Sequence, residues 1–291
     1  MQSIIEKAGV LIEAMPYIQA FRGEVVVIKF GGSAMEDRAC HDGILADAAF
    51  MESVGLYPII VHGGGKAISR RMSELGLNPV FRHGLRVTDA AAIEVVAEVL
   101  NHHVNVEIVE TLVSFGAKAV GIQGPSIIQA RKHVVLDEQG QPVDLGFVGQ
   151  VDQVDPAQVL ACLRSGMIPV VTPLGRDDAG QIYNINADDA AAGLARALQA
   201  RKLVFLSDVP GILSDAADPA SVISSLRQKD VADLINRGII AGGMRPKIQG
   251  ALDALDAGVK KVHIIDGGLP HSLLLEIFTD QGIGTEILKN D

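Results

Sequence analysis

The chain has 291 residues, 48% of them hydrophobic, and a formal net charge of −10 from 25 Lys and Arg against 35 Asp and Glu. That length buries a substantial core in one large α/β domain or two lobes, and the hydrophobic content argues against disorder. The acidic balance argues against nucleic acid, whose phosphates need a basic surface.

Cys40 and Cys162 give neither a disulfide framework nor a zinc spacing, so a reducing cytoplasm is expected. Glu6 and Lys7 interrupt the first apolar stretch, and no run reaches the roughly 18 apolar residues of a membrane span. Ile4, Ala8, Leu11, Ile12 and Met15 share one face of a first helix, which Pro16 should kink or end. That stripe packs either on its own domain or on a neighbouring subunit, and the sequence leaves both open.

Val25 to Ile28 are four consecutive β-branched residues, the pattern of a strand buried on both faces. The strand delivers Lys29 to Gly31-Gly32-Ser33, with Ser33 expected to cap a helix through Ala34, Ala39 and Ile44. A lysine, a glycine turn and a helix N-terminus together make an anion cradle. Taken singly, the same stretch is also a plain strand-to-helix turn with a solvated lysine. The pattern then repeats: Tyr57 to Val61 runs into His62-Gly63-Gly64-Gly65-Lys66 and a helical spacing through Ile68, Met72 and Leu75. Two cradles at one end of neighbouring strands read better as a shared phosphate site, because ligands bind outside the carboxyl ends of parallel strands.

Gly84-Leu85-Arg86-Val87-Thr88-Asp89 leads into a helix with Ile93, Val96, Ala97 and Leu100 inward and Thr88 or Asp89 as cap. Arg86 beside that helix start suits a carboxylate, and a surface arginine would read the same. His102 and His103 are adjacent, face different sides of a helix and carry little weight as metal ligands. Ala119 to Ile122 is a further core strand. From Ile127 to Gln153, short β-prone pieces flank the turn-rich Asp137-Glu138-Gln139-Gly140-Gln141-Pro142, which predicts antiparallel hairpins at a sheet edge and a lid over a small ligand. Met167 to Thr172 resumes the buried-strand pattern.

Asn184-Ile185-Asn186-Ala187-Asp188-Asp189 opens an Ala-rich helix. Capping by Asn186 or Asp188 accounts for one of these four polar residues and not for the rest. Lys202 to Leu206 is a strand ending at Ser207-Asp208-Val209-Pro210-Gly211, a turn fit to receive a nucleotide. In Gly242-Gly243-Met244-Arg245-Pro246-Lys247, Pro246 is expected as the first residue of a helix over 247–257. Lys247 would then sit where the helix dipole disfavours a cation, and a residue against its local rule is a candidate for function. Lys261 to Ile265 meets Asp266-Gly267-Gly268, and a helix over 271–278 and a short GIGTEI segment follow.

Both common nucleotide motifs fail. A P-loop needs G-x-x-x-x-G-K-[ST], and Gly65-Lys66 is followed by Ala67; Gly282-Ile283-Gly284 lies too near the C-terminus to open a dinucleotide-binding helix. What remains is two glycine cradles, two isolated lysines and an aspartate at one sheet edge, a set that suits phosphoryl transfer.

Together VVVIKFGGS, VHGGGK, GLRVTD, NINADDAA, FLSDVPGIL and GGMRPK, in this order and spacing, resemble the amino acid kinase family over nearly the whole chain. GLRVTD with N-x-N-A-D is similar to the branch that acts on N-acetyl-L-glutamate. The resemblance implies an α/β fold, an open, mainly parallel central sheet sandwiched by helices with β-hairpins at the substrate edge. It also implies an N-terminal helix over 1–20, an acceptor lobe over 21–180 and an ATP lobe over 181–291. By the same resemblance the reaction moves a phosphoryl group from ATP, accompanied by Mg²⁺, to the side-chain carboxylate of N-acetyl-L-glutamate, with no metal cage in the protein.

Lys29 and Lys247 would flank the transferring group and Asp188 would orient them. Gly64, Gly65, Arg86 and Asn184 would hold the acceptor, and Gly31, Gly32, Ser207, Asp208, Gly211 and Ile212 would seat ATP. Relatives with an N-terminal helix further imply a hexamer, a trimer of dimers, inhibited by arginine bound near Tyr17, Glu276 and Gly284. A family kinase with carbamate or aspartate as acceptor, and a silent arginine-binding scaffold, are the rival readings. Lys29, Asp188 and Lys247 together speak against silence.

Overall fold

The computed structural model describes residues 2–137, 139–215, 217–279 and 282–290. Among them α1 (Gln2–Phe21) leads into β1 (Val25–Phe30), a 3₁₀ turn (Gly32–Met35), α2 (Arg38–Ser53), β2 (Tyr57–His62) and α3 (Gly65–Glu74). The hairpin β3 (Phe81–Arg82) and β4 (Leu85–Arg86), α4 (Ala90–Val99), a π-helical turn (Leu100–Val104), α5 (Asn105–Ser114) and β5 (Ala119–Ile122) follow. Next come β6 (Ile128–Lys132), β7 (Val135–Leu136), β8 (Pro142–Val143), β9 (Val148–Val154), α6 (Ala157–Arg164), β10 (Ile168–Val171), β11 (Leu174–Arg176), β12 (Ile182–Ile185) and α7 (Ala187–Ala197). The remainder comprises β13 (Lys202–Ser207), β14 (Ser225–Arg227), α8 (Val231–Asn236), α9 (Met244–Asp256), β15 (Lys261–Asp266), α10 (Ser272–Ile277) and β16 (Thr285–Leu288).

One sheet crosses the molecule in the order β14-β16-β15-β13-β1-β2-β10-β5, with all neighbours parallel except β15 and β16. This is the open α/β sheet the resemblance implied. β1 lies at its centre, Val27 opposite Ile59 on one side and Leu203 on the other. Its residues alternate between two cores, Val27, Ile59 and Leu203 facing one layer of helices and Val26, Ile28, Ile60 and Val204 the other. Each such side chain contributes about 1.5–3 kcal/mol on burial. A charge at Val27 or Ile28 would lie unpaired at the centre of a core layer.

Several local expectations give way to tertiary structure. α1 does not end at Pro16 but continues to Phe21. The carbonyl that Pro16 leaves unbonded belongs to Ile12, a residue 63% exposed. The last turn is held by Tyr17, Ile18 and Phe21 against the sheet, with Lys202 over the Phe21 ring at 4.8 Å. The stripe itself faces outward at Ile12 and Met15, while the side chains of Ile4, Ala8 and Leu11 lie outside the described residues.

The helix after the first cradle begins at Arg38, capped by Asp37, whose side chain accepts from the Cys40 N–H. Ser33 is therefore not its cap; a 3₁₀ turn intervenes. Pro246 is the third residue of α9, still within the first turn where no N–H is required. The segment read as edge hairpins closes on itself. Strands β6 and β9 pair antiparallel with a bulge at Gln129/Ala130, and β11-β12-β9-β6 form a closed four-stranded ring instead of extending the central sheet. The ring follows the carboxyl ends of β5 and β10. Within its turn, Glu138 lies outside the described residues.

Candidate active site

Sheet order brings the chemistry together. β13, β1 and β2 are neighbours, so the turns after Ser207, Phe30 and His62 open at one edge. Gly32, Ser33, Gly64, Gly65, Lys66 and Asp208 line one open cleft of about 770 Å³.

Gly32 has φ +75°, a left-handed conformation, and a Cβ there would stand 2.5 Å from Asp208 Oδ1. A Cβ on Gly31 would meet the Lys29 ammonium at 2.9 Å and one on Gly64 the Leu100 side chain at 2.7 Å. Gly65 differs. A Cβ there would meet nothing within 4 Å, so close approach does not explain this glycine. Its carbonyl instead accepts from Arg86 Nη2 at 2.7 Å and from Ser69 Oγ at 2.9 Å.

Beside Gly31, Asp188 stands between two lysines. Its Oδ2 accepts a 2.8 Å hydrogen bond from Lys247 Nζ, and its Oδ1 lies 3.2 Å from Lys29 Nζ as an ion pair. Burial works against the Asp188 carboxylate, but the two ammonium groups outweigh it and hold the carboxyl below its usual range. Burial draws Lys247 down although Asp188 opposes it, and the ammonium also lies 4.8 Å over the Phe205 ring. These contacts offset the unfavourable end of the α9 dipole. Asn186 is the cap of α7, accepting from the Asp188 N–H at 2.8 Å, which leaves the Asp188 side chain free for the lysines. Burial, and then the adjacent Asp188 charge, push Asp189 up to about 6.

Arg86, expected beside the start of α4, lies in a short strand and is 7% exposed, so it is not a surface arginine. Its guanidinium binds Gly65 O and Ser69 Oγ and lies 4.7 Å from the Phe81 ring centre. All these partners are neutral, so among the described residues no carboxylate matches its charge. Asp89 caps α4 by accepting from the Ala92 N–H. Thr88, the other candidate cap, donates to Arg86 O at 2.8 Å and accepts from Asn184 Nδ2 at 3.2 Å. It thereby joins the two residues expected at the amino-acid end of the acceptor.

On the β13 side, Asp208 Oδ1 accepts from both the N–H and the hydroxyl of Ser33. These bonds, chiefly the hydroxyl's, hold the Asp208 carboxyl below its usual range. Ser207 O receives the Gly267 N–H at 2.9 Å. Ile212 is turned away from the edge: its side chain is 2% exposed, its N–H donates to Thr285 Oγ1 and its carbonyl accepts from Ile223 N. With side chain and both backbone groups committed, Ile212 supports the turn from beneath. Gly211 lies beside it, where a Cβ would stand 2.6 Å from Thr285 Oγ1.

Tyr17, Glu276 and Gly284 converge on a second cavity, of about 460 Å³, between α1 and the β15–β16 end of the sheet. Glu276 Oε1 pairs with His263 Nδ1 and Oε2 accepts from the Ile283 N–H at 2.9 Å. Gly284 crosses β15 so closely that a Cβ would lie 2.2 Å from Ile264 O. Lys202 also lines this cavity, and burial pushes its ammonium down to about 8. Sequence reasoning had not named Lys202 for this cavity or Thr88 as a link between Arg86 and Asn184; each sits inside a strand or cap pattern that explained it locally.

A parallel sheet with paired glycine cradles and an aspartate-bridged lysine pair at its carboxyl edge defines a phosphoryl-transfer class of protein. The chain belongs to the amino acid kinase family, whose model matches residues 24–266, and it is accordingly an enzyme, a kinase. It is similar to the acetylglutamate kinase of Heliobacterium modesticaldum (strain ATCC 51547 / Ice1), 50% identical over 295 residues that cover 99% of this chain and 100% of the relative.

Among solved structures it is similar to N-acetylglutamate synthase from Neisseria gonorrhoeae complexed with coenzyme A and N-acetyl-glutamate. That match has TM-score 0.84 and 29% identity, covering 98% of this chain and 64% of the other. The same synthase complexed with coenzyme A and L-arginine matches with TM-score 0.79 and 27% identity, covering 97% of this chain and 65% of the other. The chain thus spans just under two thirds of the synthase chains.

Proposed function

We propose that this enzyme phosphorylates the side-chain carboxylate of N-acetyl-L-glutamate with MgATP, a step of arginine biosynthesis in the cytoplasm. The observation that carries the reading is Asp188 held between Lys247 at 2.8 Å and Lys29 at 3.2 Å beside the glycine cradles. Phosphoryl transfer asks the protein mainly for positioning and charge neutralisation. Lys29 and Lys247 neutralise the oxygens of the transferring group, and Asp188 fixes both ammonium groups. The N–H groups at Gly31, Gly32 and Gly64 meet phosphate and the reacting carboxylate. Arg86 and Asn184, joined through Thr88, hold the far end of the acceptor, and Ser207, Asp208 and Gly211 seat the nucleotide. The acceptor lobe is residues 21–180 and the ATP lobe residues 181–291, meeting along the continuous sheet.

The donor set at this edge fits magnesium carried on the nucleotide. Asp208 is ionised at the cleft, and Mg²⁺ typically takes one or two carboxylates together with phosphates and water. Asp208 would hold it there, and it would supply positive charge to the ATP phosphates. The test is ADP release with MgATP and N-acetyl-L-glutamate, carbamate or aspartate as acceptor. Turnover with acetylglutamate at least 100-fold above the other two is expected, and comparable turnover with either rival acceptor would overturn the assignment.

The same reading includes feedback inhibition by arginine in a hexameric trimer of dimers. Its supports are the outward-facing Ile12 and Met15 of α1 and the second cavity, where Glu276 offers a carboxylate to a cationic side chain and Lys202 an ammonium to a carboxylate. The solved complex of a related synthase with L-arginine is a further support.

A further inference from the structure

His62, the last residue of β2, is fully buried, yet both of its ring nitrogens are engaged. Nδ1 lies 2.7 Å from the carbonyl oxygen of Gly63, and Nε2 lies 3.2 Å from Asn105 Nδ2. The same Asn105 nitrogen donates to Val170 O at 2.9 Å. A carbonyl only accepts, so the group facing Val170 must be the NH₂ of Asn105. Its second hydrogen then points at His62 Nε2, which must accept, and the ring proton is left on Nδ1, where it donates to Gly63 O. Asn105 thus selects the tautomer, as partners of ring nitrogens commonly do. Burial keeps this ring neutral by lowering His62 to about 4, with the Gly63 bond opposing.

Two further features serve the same arrangement. The π-helical turn Leu100–Val104 immediately precedes Asn105, which is 6% exposed and reaches across to the sheet. On β5, a Cβ at Gly121 would stand 2.1 Å from Asn105 Oδ1, so glycine there makes room for the amide. At the other end, the Gly63 N–H donates to Phe30 O at 2.7 Å, which places Gly63 in van der Waals contact with Gly31. Gly63 is therefore the stitch between the two cradles.

We propose that His62 and Asn105 are positioning residues for phosphoryl transfer: Asn105 fixes the Nδ1–H form of His62, which pins the Gly63 carbonyl and so aims the Gly64 N–H at the reacting group. The proposal rests on the assignment of the second cradle to that group. Side-chain amides separate the roles of the two ring nitrogens. In His62→Asn the Nδ2 occupies the place of Nδ1 and keeps the bond to Gly63. In His62→Gln the nitrogen reaches the place of Nε2 and Gly63 O loses its donor. A space-filling histidine would favour the larger Gln over Asn.

The experiment combines ¹⁵N ring shifts of His62 in the unsubstituted enzyme with kcat and KM of both variants, each first shown folded by circular dichroism at the assay temperature. Expected are an Nδ1–H ring, kcat of H62N within about threefold of the parent, and kcat of H62Q reduced about tenfold or more with KM for ATP unchanged, the order of loss for a buried group left without its hydrogen bond. An Nε2–H ring, or H62Q equal to or better than H62N, would overturn the proposal. Gly64→Ala separates the two levels. If H62Q and G64A both leave kcat intact, the assignment of the second cradle fails; if G64A alone lowers it, only the positioning proposal does.

Discussion

Ser33 donates twice to one oxygen of Asp208, its backbone N–H at 2.8 Å and its hydroxyl at 2.7 Å. The pair ties the first glycine cradle, after β1, to the turn after β13, and it is the reason Gly32 has no room for a side chain. Asp208→Ala would leave the cradle untethered. Charge-assisted hydrogen bonds contribute about 1.5–3 kcal/mol, so KM for ATP should rise by about tenfold while KM for the acceptor stays within about twofold. Asp208→Asn keeps an acceptor and should lose less. Steady-state kinetics with each substrate varied in turn checks both statements.

Lys29→Ala and Lys247→Ala each remove a charge directed at the transferring group, and kcat should fall by roughly 10²–10³, the usual cost of one preorganised electrostatic donor. Single-turnover rates at saturating substrate measure it, and near-normal kcat in either variant removes that lysine from the mechanism. Asp188→Asn is a different kind of loss. It leaves two buried ammonium groups facing each other, and breaking such a buried arrangement costs about 3–5 kcal/mol, so denaturant midpoints should fall together with kcat.

Arg86→Ala should raise KM for the acceptor, since an interaction present in ground and transition states acts on binding. The structure adds a second effect: Ser69 Oγ loses its donor and Gly65 O keeps only that of Ser69, so the first turn of α3 should loosen and the melting temperature should fall too. Arg86→Lys loses the planar group that lies on the Phe81 ring and the Nη1 contact with Met72 Sδ, and should restore only part of either effect. A raised KM for ATP with an unchanged acceptor KM would reverse the assignment.

Asp189 supplies a pH test. Its folded-state pKa is raised to about 6 by burial and the Asp188 charge, above the ordinary 3.8 of an unfolded aspartate. Between those values the folded state binds more protons, so this group's contribution turns unfavourable as pH rises from about 4 to about 6 and stays so above. Asp189→Asn should therefore be more stable than the parent at pH 7.5 by about 2–3 kcal/mol and nearly equal to it at pH 4. Urea unfolding of both proteins at the two pH values reads the difference; an equal gain at both pH values would refute it.

Deleting residues 1–20 removes most of α1 and with it Tyr17 of the second cavity. The truncated protein should keep its activity, fall from a hexamer to a dimer by light scattering, and lose inhibition by arginine. A dimeric full-length protein, or a truncated one that keeps hexamer and inhibition, contradicts the regulatory reading. Because inhibition couples two sites, arginine must also bind more weakly when acetylglutamate and ATP saturate the enzyme.

By itself the sequence determined the features that depend on near neighbours. β-Branched runs mark strands buried on both faces, as at Val25 to Ile28, and glycine pairs after Phe30, His62 and Asp266 mark the turns of one sheet edge. Lys247 stood out because a cation in a first helical turn breaks a local rule. Ser33 and Asp89 show where such rules stop: hydroxyl and carboxylate are equivalent as cap candidates, and choosing between them depends on what else lies within reach. Ser33 is claimed by Asp208, 175 residues away, and Thr88 by Asn184, 96 residues away. Tertiary structure alone decided these partners, together with the closed ring of β11-β12-β9-β6 and the chain of contacts from Gly121 through Asn105 to His62. The physical reason is that periodicity along a chain encodes which face is buried, whereas hydrogen-bond partners are fixed by which strands become neighbours, and the order β13-β1-β2-β10-β5 is set by packing of the whole sheet.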